Sequence, residues 1–518
     1  MIKKILSIAL ITFIFVILTE SVHSDSPEYA TGFVFMDSNH NGLMDQGEKG
    51  IEDVRVSNGL DIVKTDSEGK YKISIDDDTI IFVIKPKGWM TPLDKDNLPR
   101  FHYIHKPNGS PELKFAGVEP TGDLPESVDF PLYPNEEPDE FRVLLFGDTQ
   151  PYSQEEINYL GHDVVEELVA IDVAFGMSLG DLVGDKLDLF DSLNKTTSLI
   201  GIPWYSIMGN HDMNYAAKSD KYADETFERV FGPPYYSFDY GSVHFIVLDD
   251  IIWNPEKRNY RGGLGEKQFE FVKNDLALLP KDQLVVLTMH IPLMELKELK
   301  ELFQILEQHE NTFSASAHYH HQEHIFFKEK HGWNGEKPHH HLINVTACGC
   351  WWKGAPDEFN IPHSMMMDGA PNGYSILTFD GNEYSIEYKA ARRPADFQMS
   401  IFAPDEVSQD KTSETEVLVN VFAGNEYSKV SMSVGKNGDW IKMEKAEGME
   451  DPYYAMMKAA EESPKPPKGK PLPNIKKCPH LWKANLPADV PKGKHFIHIS
   501  TTDMFGQTYD GYRVIWIR

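Results

Sequence analysis

Cysteine is nearly absent from this chain: three residues, Cys348, Cys350 and Cys478, stand among 518. So few exclude a disulfide framework, and an odd number leaves at least one thiol unpaired. Cys348 and Cys350 are too close in sequence for an ordinary strain-free bridge, so they read as small buried apolar residues. Positive charge is also scarce. Lys and Arg total 50 against 80 Asp and Glu, a formal net charge of −30. That balance repels a nucleic-acid backbone and excludes a general nucleic-acid-binding surface. It leaves an anionic substrate open, because bound cations reverse the field inside a pocket. Long apolar runs are limited to one, Ile5 to Leu18, preceded by Lys3 and Lys4 and followed by Val22-His23-Ser24. This is the pattern of a secretory signal peptide occupying residues 1–24. The run is short for a membrane span, and no cysteine follows it to carry a lipid. The expected location is therefore secreted, periplasmic or cell-surface, with no transmembrane span after cleavage. No solenoid repeat is found.

What is present suffices for real cores, since 41% of residues are hydrophobic, and the length suggests about three domains. Residues 25–137 read as an all-β sandwich: Gly32 to Phe35, Val54 to Val56 and Lys70 to Ile75 are strands separated by turn residues such as Asp66-Ser67-Glu68-Gly69. Tyr133 to Asp139 is rich in proline and acid and reads as a linker. Residues 140–389 alternate short apolar runs with helical periodicity, and Ile157, Leu160, Val164, Leu168 and Ile171 fall on one helix face. That alternation argues an α/β sheet with helices outside. Strands return over 390–518, a second β-sandwich, interrupted by the charged, proline-rich stretch Met449 to Lys477, expected to be a mobile surface insertion.

The chemistry lies in the middle segment. Val143 to Phe146 ends in Gly147-Asp148-Thr149-Gln150. Val173 to Leu179 ends in Gly180-Asp181, with Asp185 shortly after. Trp204 to Met208 ends in Gly209-Asn210-His211-Asp212, Leu284 to Met289 ends in His290, and Thr312 to Ala317 ends in His318-Tyr319-His320. Five predicted strands thus deliver oxygen or imidazole donors at their C-terminal ends, the edge where open α/β sheets form sites. Taken singly, a His is more often a core or surface residue, and an Asp after a strand is often a helix cap. Together the donors suit borderline first-row divalent ions rather than calcium. Glycines before Asp148, Asp181 and Asn210 allow the tight turns that bring short side chains to an ion. A Gly-x-Ser-x-Gly elbow is absent from the sheet segment.

This ordered set resembles the calcineurin-like metallophosphoesterase family, whose pattern runs Asp-x-His, Gly-Asp, Gly-Asn-His-Asp/Glu, a lone His, then Gly-His-x-His. The resemblance implies an α/β/β/α sandwich and two divalent or mixed-valence transition metals (manganese, iron or zinc). By that resemblance Asp148, Gln150 and His320 would hold one metal, Asn210, His290 and His318 the other, and Asp181 would bridge them. His211 would stabilise the transition state and protonate the leaving oxygen, with Asp212 orienting it. Two departures stand out: Gln150 occupies a usual His position and Ala317 a usual Gly position, and an amide oxygen is a weaker donor to a transition metal than imidazole. Two ions about 3.5–4 Å apart would lower the pKa of a shared hydroxide for in-line attack on phosphate mono- or diesters.

Beyond the donors, His339 to Tyr374 is dense in unusual residues. Trp351, Trp352, Asp368, Asn372 and Tyr374 are expected to form a substrate wall, and His339-His340-His341 to be solvated. The Trp-Trp and Asp-Gly-x-Pro-Asn-Gly-Tyr stretches resemble a bacterial subfamily with β-sandwiches on both flanks. Near the N-terminus, Asp37, Asn39, Asn41, Asp45 and Glu48 occupy ligand positions of a twelve-residue calcium loop with Gly42 at its turn. The flanks are strands, and the loop resembles the calcium-bound B repeats of bacterial adhesins, which implies structural calcium. The alternative to a secreted phosphoesterase is a cell-surface adhesion protein with a vestigial catalytic domain.

Overall fold

The computed structural model describes residues 28–436 and 438–518; the signal peptide expected at 1–24 lies outside them. Two sheets form the centre. In the first, Trp204–Ile207, Phe175–Leu179 and Glu140–Phe146 run parallel, and Gly373–Asp380 and Glu383–Ala390 add antiparallel. In the second, Val243–Val247, Leu284–Thr288, Asn311–Ser316 and His339–Ile343 run parallel, with Tyr236–Tyr240 and Glu323–Phe327 antiparallel at the edges. Strands covered on both faces are apolar throughout rather than alternating, and every residue of Leu284–Thr288 is buried. Val143, Leu145 and Phe175 from one sheet share a core with Phe245 and Leu287 from the other. On the outer faces, Leu144 and Phe146 meet Ile157, Leu160, Val164 and Leu168, while Phe271 and Phe303 of the helices Gly265–Leu276 and Leu299–Leu306 cover the second sheet. The layer order is the expected α/β/β/α. The helix read around Ile157 is Gln154–Leu160, extended by a π turn over Gly161–Val165 and a short turn to Leu168.

Upstream, Glu28–Met36 pairs with Lys70–Ile75 and Phe130–Pro134 in one small sheet, and Arg55–Ser57 pairs with Thr79–Ile84 in another. Their core does not close on itself. Phe82 meets Phe271 edge-on at 5.7 Å, Phe101 lies 4.8 Å from Tyr236, and the Asp239 N–H donates to the Lys85 carbonyl at 2.8 Å. One hydrophobic cluster therefore runs from Ala30 to Ile386. Buried charges pin this seam: Arg55 donates to Asp239 at 2.6 Å and to Asp275 at 3.0 Å, and the same two carboxylates grip His244 at 2.6 and 2.9 Å. Lys85 reaches Glu137 of the linker at 2.7 Å. In the Asp37–Glu48 loop, Asn39 and Asn41 both donate to Asp45 at 2.8 Å, Glu48 accepts the Ser38 N–H at 2.7 Å, and Asp37 accepts that of Gly42 at 2.7 Å.

Downstream, Met399–Phe402, Glu416–Val421 and Leu481–Asn485 face a second sheet built on Lys429–Val434 and the hairpin Gly493–Thr502/Thr508–Ile517. This sandwich has a core of its own, including Val419, Met432, Ile497 and Ile515. Two expectations fail here and next to it. Met449 to Lys477 is not a loose insertion: Asp451 caps the helix Pro452–Glu461, and Tyr454 and Leu472 are buried against Met365. Two buried apolar anchors, Tyr454 and Leu472, outweigh a charged, proline-rich composition. His339, His340 and His341 are not solvated but buried in a strand. The Ser314 hydroxyl lies 2.7 Å from both His339 and His341, and His340 stacks on Phe326 at 4.6 Å. Burial pushes all three imidazoles down, so they stay neutral.

Candidate metal centre

The predicted donors converge where the two central sheets present their C-terminal edges. Asp148, Gln150, Asp181 and Asn210 follow strands of the first sheet; His290, His318 and His320 follow strands of the second. Two glycines explain how close they come. A Cβ on Gly180 would lie 2.5 Å from the His290 ring, and one on Gly209 would lie 2.0 Å from the Asp181 nitrogen. Asp181, His290 and His318 place ligand atoms within 4.8 Å of one another. His290 Nε2 stands 3.1 Å from Asn210 Oδ1, 3.3 Å from Asp181 Oδ1 and 3.1 Å from His318 Nδ1. In the neighbouring group His320 Nε2 stands 3.0 Å from Asp148 Oδ2. The Asp148 carboxylate also accepts the His318 N–H at 3.0 Å, and the Gln150 N–H donates to the Asp181 carbonyl at 3.0 Å, so the two groups are stitched together.

The hydrogen positions decide what these contacts mean. His290 Nδ1 lies 2.8 Å from the Leu179 carbonyl and His320 Nδ1 lies 2.6 Å from the Gly349 carbonyl. A carbonyl only accepts, so each imidazole donates there and turns a bare Nε2 lone pair inward. Those lone pairs face carboxylate and amide oxygens, which are also acceptors. Asp148 Oδ2 and Gln150 Oε1 are buried without a hydrogen-bond partner. Acceptors aimed at acceptors in a buried site require a cation between them, and this mixed nitrogen and oxygen set fits two divalent transition ions. The local field agrees. Burial alone would depress His290, yet the Asp181 carboxylate outweighs it and favours positive charge at this position, a charge that a bound cation would supply in place of a proton.

Strain concentrates in the same place. Gln150, Asp181, Asp185, His318, His320, Trp351 and Trp352 all have positive φ, between 35° and 68°. These account for seven of the fourteen such non-glycine residues described, and left-handed backbone at non-glycine residues marks sites held by their surroundings.

His211 lies beside the donors and is not one of them. Its N–H donates to Asp181 Oδ1 at 2.8 Å, and its Nδ1 donates to Asp185 Oδ1 at 2.8 Å. Burial opposes charge on this ring, but Asp181 and then Asp185 outweigh it and raise His211 to about 9. The expected partner, Asp212, does something else. Its buried carboxylate accepts the N–H groups of Leu182, Val183 and Gly209 at 2.8–3.1 Å, tying two ligand loops together. Asp250 was missed by sequence reasoning. It accepts the His290 and Ile291 N–H groups at 3.3 and 3.2 Å. Its signal was an additional apolar run, Val243 to Leu248, ending in Asp249-Asp250.

The five residues expected to form a substrate wall are placed in different surroundings. Trp351 is half-buried and lies over His320 at 4.0 Å. Trp352 is buried and donates to the Thr149 carbonyl, and Tyr374 is packed beside Phe146. Asn372 donates to Asp163 at 2.6 Å and to the Ala347 carbonyl. Asp368 is fully buried: it accepts the Gln322 N–H at 2.8 Å and pairs with His480 of the C-terminal sandwich at 2.9 Å. The rim is completed by residues that the sequence did not single out, Tyr152 edge-on to His211 at 6.3 Å and Tyr260 edge-on to His318 at 6.2 Å.

Three family models match the chain: the N terminal of calcineurin-like phosphoesterase over residues 38–118, calcineurin-like phosphoesterase over 141–343, and the C terminal of calcineurin-like phosphoesterase over 341–509. No curated protein matches the sequence. Among solved structures, a purple acid phosphatase from yellow lupin (Lupinus luteus) seeds shares 15% identity over 65% of this chain and 67% of that one, with a TM-score of 0.36.

Proposed function

The chain belongs to the calcineurin-like phosphoesterase family and is a metal-dependent phosphoric ester hydrolase; on that premise we propose that it is a secreted enzyme that cleaves small phosphate mono- or diesters at the edge shared by its two central sheets. The observation that carries this reading is the convergence of imidazole Nε2 atoms on carboxylate and amide oxygens at 3.0–3.3 Å, with the other ring nitrogen of His290 and of His320 committed to a backbone carbonyl. Asp148, Gln150 and His320 would hold one ion, Asn210, His290 and His318 the other, and Asp181 would serve both. When bound, such a pair supplies a water of lowered pKa and neutralises phosphate oxygens. His211, charged and held by Asp185, donates its remaining N–H toward the leaving oxygen and protonates it as the ester bond breaks. Tyr152, Tyr260 and Trp351 receive the organic group of the ester.

The test measures turnover of an aryl phosphomonoester and an aryl phosphodiester after supplying manganese, zinc or iron. His211→Ala is expected to keep its metal content and lose about 10²–10³-fold in kcat. Asp181→Asn is expected to lose metal. Full activity in His211→Ala would remove the acid role, and a wild-type protein that takes up no metal would sink the reading.

The Asp37–Glu48 loop is proposed to hold a structural calcium ion through Asp37, Asn39, Asn41, Asp45 and Glu48. Millimolar calcium should raise Tm in wild type and leave an Asp37→Ala, Asp45→Ala variant unmoved. A Tm indifferent to calcium in the wild type argues against the ion.

A further inference from the structure

Away from the metal centre, a cavity of about 590 Å³ opens where the loop 357–372 meets the C-terminal sandwich. Its size is that of a small-molecule site, and such sites favour domain interfaces. No metal-centre donor lines it. Its lining carries three arginines and three acids. Arg392 is spent on Asp163 and Asp357, and Arg513 on Asp405. Arg393 forms no ion pair among the described residues; its guanidinium lies 5.7 Å over the Phe397 ring, which in turn packs on Phe422 at 5.4 Å. Glu358 is the remaining unpaired acid on the lining, and it is exposed. Two large aromatic side chains flank the opening while giving little to any core: Phe359 is 68% exposed and Tyr453 is 47% exposed. Arg393 is thus the lining cation without an ion-pair partner among the described residues, and it stands beside rings whose apolar faces are left uncovered. His363, on the same lining, is held low by burial and by Arg393, so it stays neutral and does not draw the anion away.

We propose that this cavity is a second ligand site, for a small organic anion carrying a flat apolar ring, with the charge on Arg393 and the ring among Phe359, Phe397 and Tyr453. The guanidinium donates paired N–H groups to a carboxylate, sulfonate or phosphate, and the aromatic faces take the ring. The inference stands apart from the catalytic reading.

The test titrates 2-naphthalenesulfonate, which offers no ester to cleave, into the metal-loaded protein by calorimetry. One equivalent should bind. Naphthalene-2-methanol, with the ring but no charge, and methanesulfonate, with the charge but no ring, should each bind at least tenfold more weakly. Arg393→Ala should weaken the sulfonate at least tenfold, Arg393→Lys should recover part of that loss, and Phe359→Ala should weaken it severalfold. Both side chains, Arg393 and Phe359, are exposed, so the variants should fold. Asp148→Asn, at the metal centre, should bind the sulfonate like wild type. Absence of saturable binding, equal affinity in Arg393→Ala, or loss of binding in Asp148→Asn would each overturn the assignment.

Discussion

Asp185 neighbours His211 in space and Asp212 neighbours it in sequence, and their hydrogen bonds divide them into different roles. Asp185 grips the ring nitrogen; Asp212 accepts three backbone N–H groups and never reaches the ring. Asp185→Asn should therefore lower kcat by about 10- to 100-fold with metal content and Tm unchanged. Asp212→Asn keeps one good acceptor for three donors and should cost on the order of 2–3 kcal/mol of stability, read as a lower Tm. Reversal of those two phenotypes would restore the assignment that sequence proximity suggested. The error has a physical origin. Adjacent residues in a tight turn point in different directions, so Asp212 could not face the ring of its neighbour, while Asp185, 26 positions away in sequence, could.

At the scale of strands and helices, the metal donors were legible because each ends an apolar run, and a buried strand leaves its signature in composition. The same signal stands in Val243 to Leu248, a run not among the five read as donor strands, and it leads to the donors' supporting carboxylate, Asp250. What composition hid was burial of polar side chains. His339 to His341 look solvated by type, yet Ser314, Ser316 and Tyr384 satisfy them across strands. Trp352, Asp368 and Tyr374 look like a recognition surface, yet they are mortar between loop and sheet. Between elements, His244 offers a pH test. Burial opposes its charge, but Asp275 and Asp239 outweigh it and raise it to about 9. A folded-state pKa above the ordinary value of about 6.5 means the stabilisation is full below that value and is lost as pH rises through about 9. The loss should be on the order of 3 kcal/mol. It is measured by urea unfolding between pH 6 and 9.5, and His244→Gln should flatten the profile. An unchanged slope in that variant would place the pH dependence elsewhere.

Across the whole molecule, the three β-rich and α/β parts are not equally independent. The C-terminal sandwich closes its own core. The N-terminal sheets share theirs with the central layers and add a backbone hydrogen bond at the strand edge. Calorimetry should show residues up to about Ala390 melting in one transition. Loss of only the N-terminal sheets at lower temperature would contradict this coupling. A consequence follows for how such a chain can be rearranged. Phe82 and Phe101 are the wall against which Phe271 and Tyr236 are plastered. A gene fusion or truncation that carried the catalytic layers without the segment before them would strip an aromatic flank bare. The catalytic layers and their N-terminal escort must therefore be inherited, cloned or transplanted as a single block, and any exchange of the C-terminal part would have to supply a new partner for the buried Asp368 that His480 now satisfies.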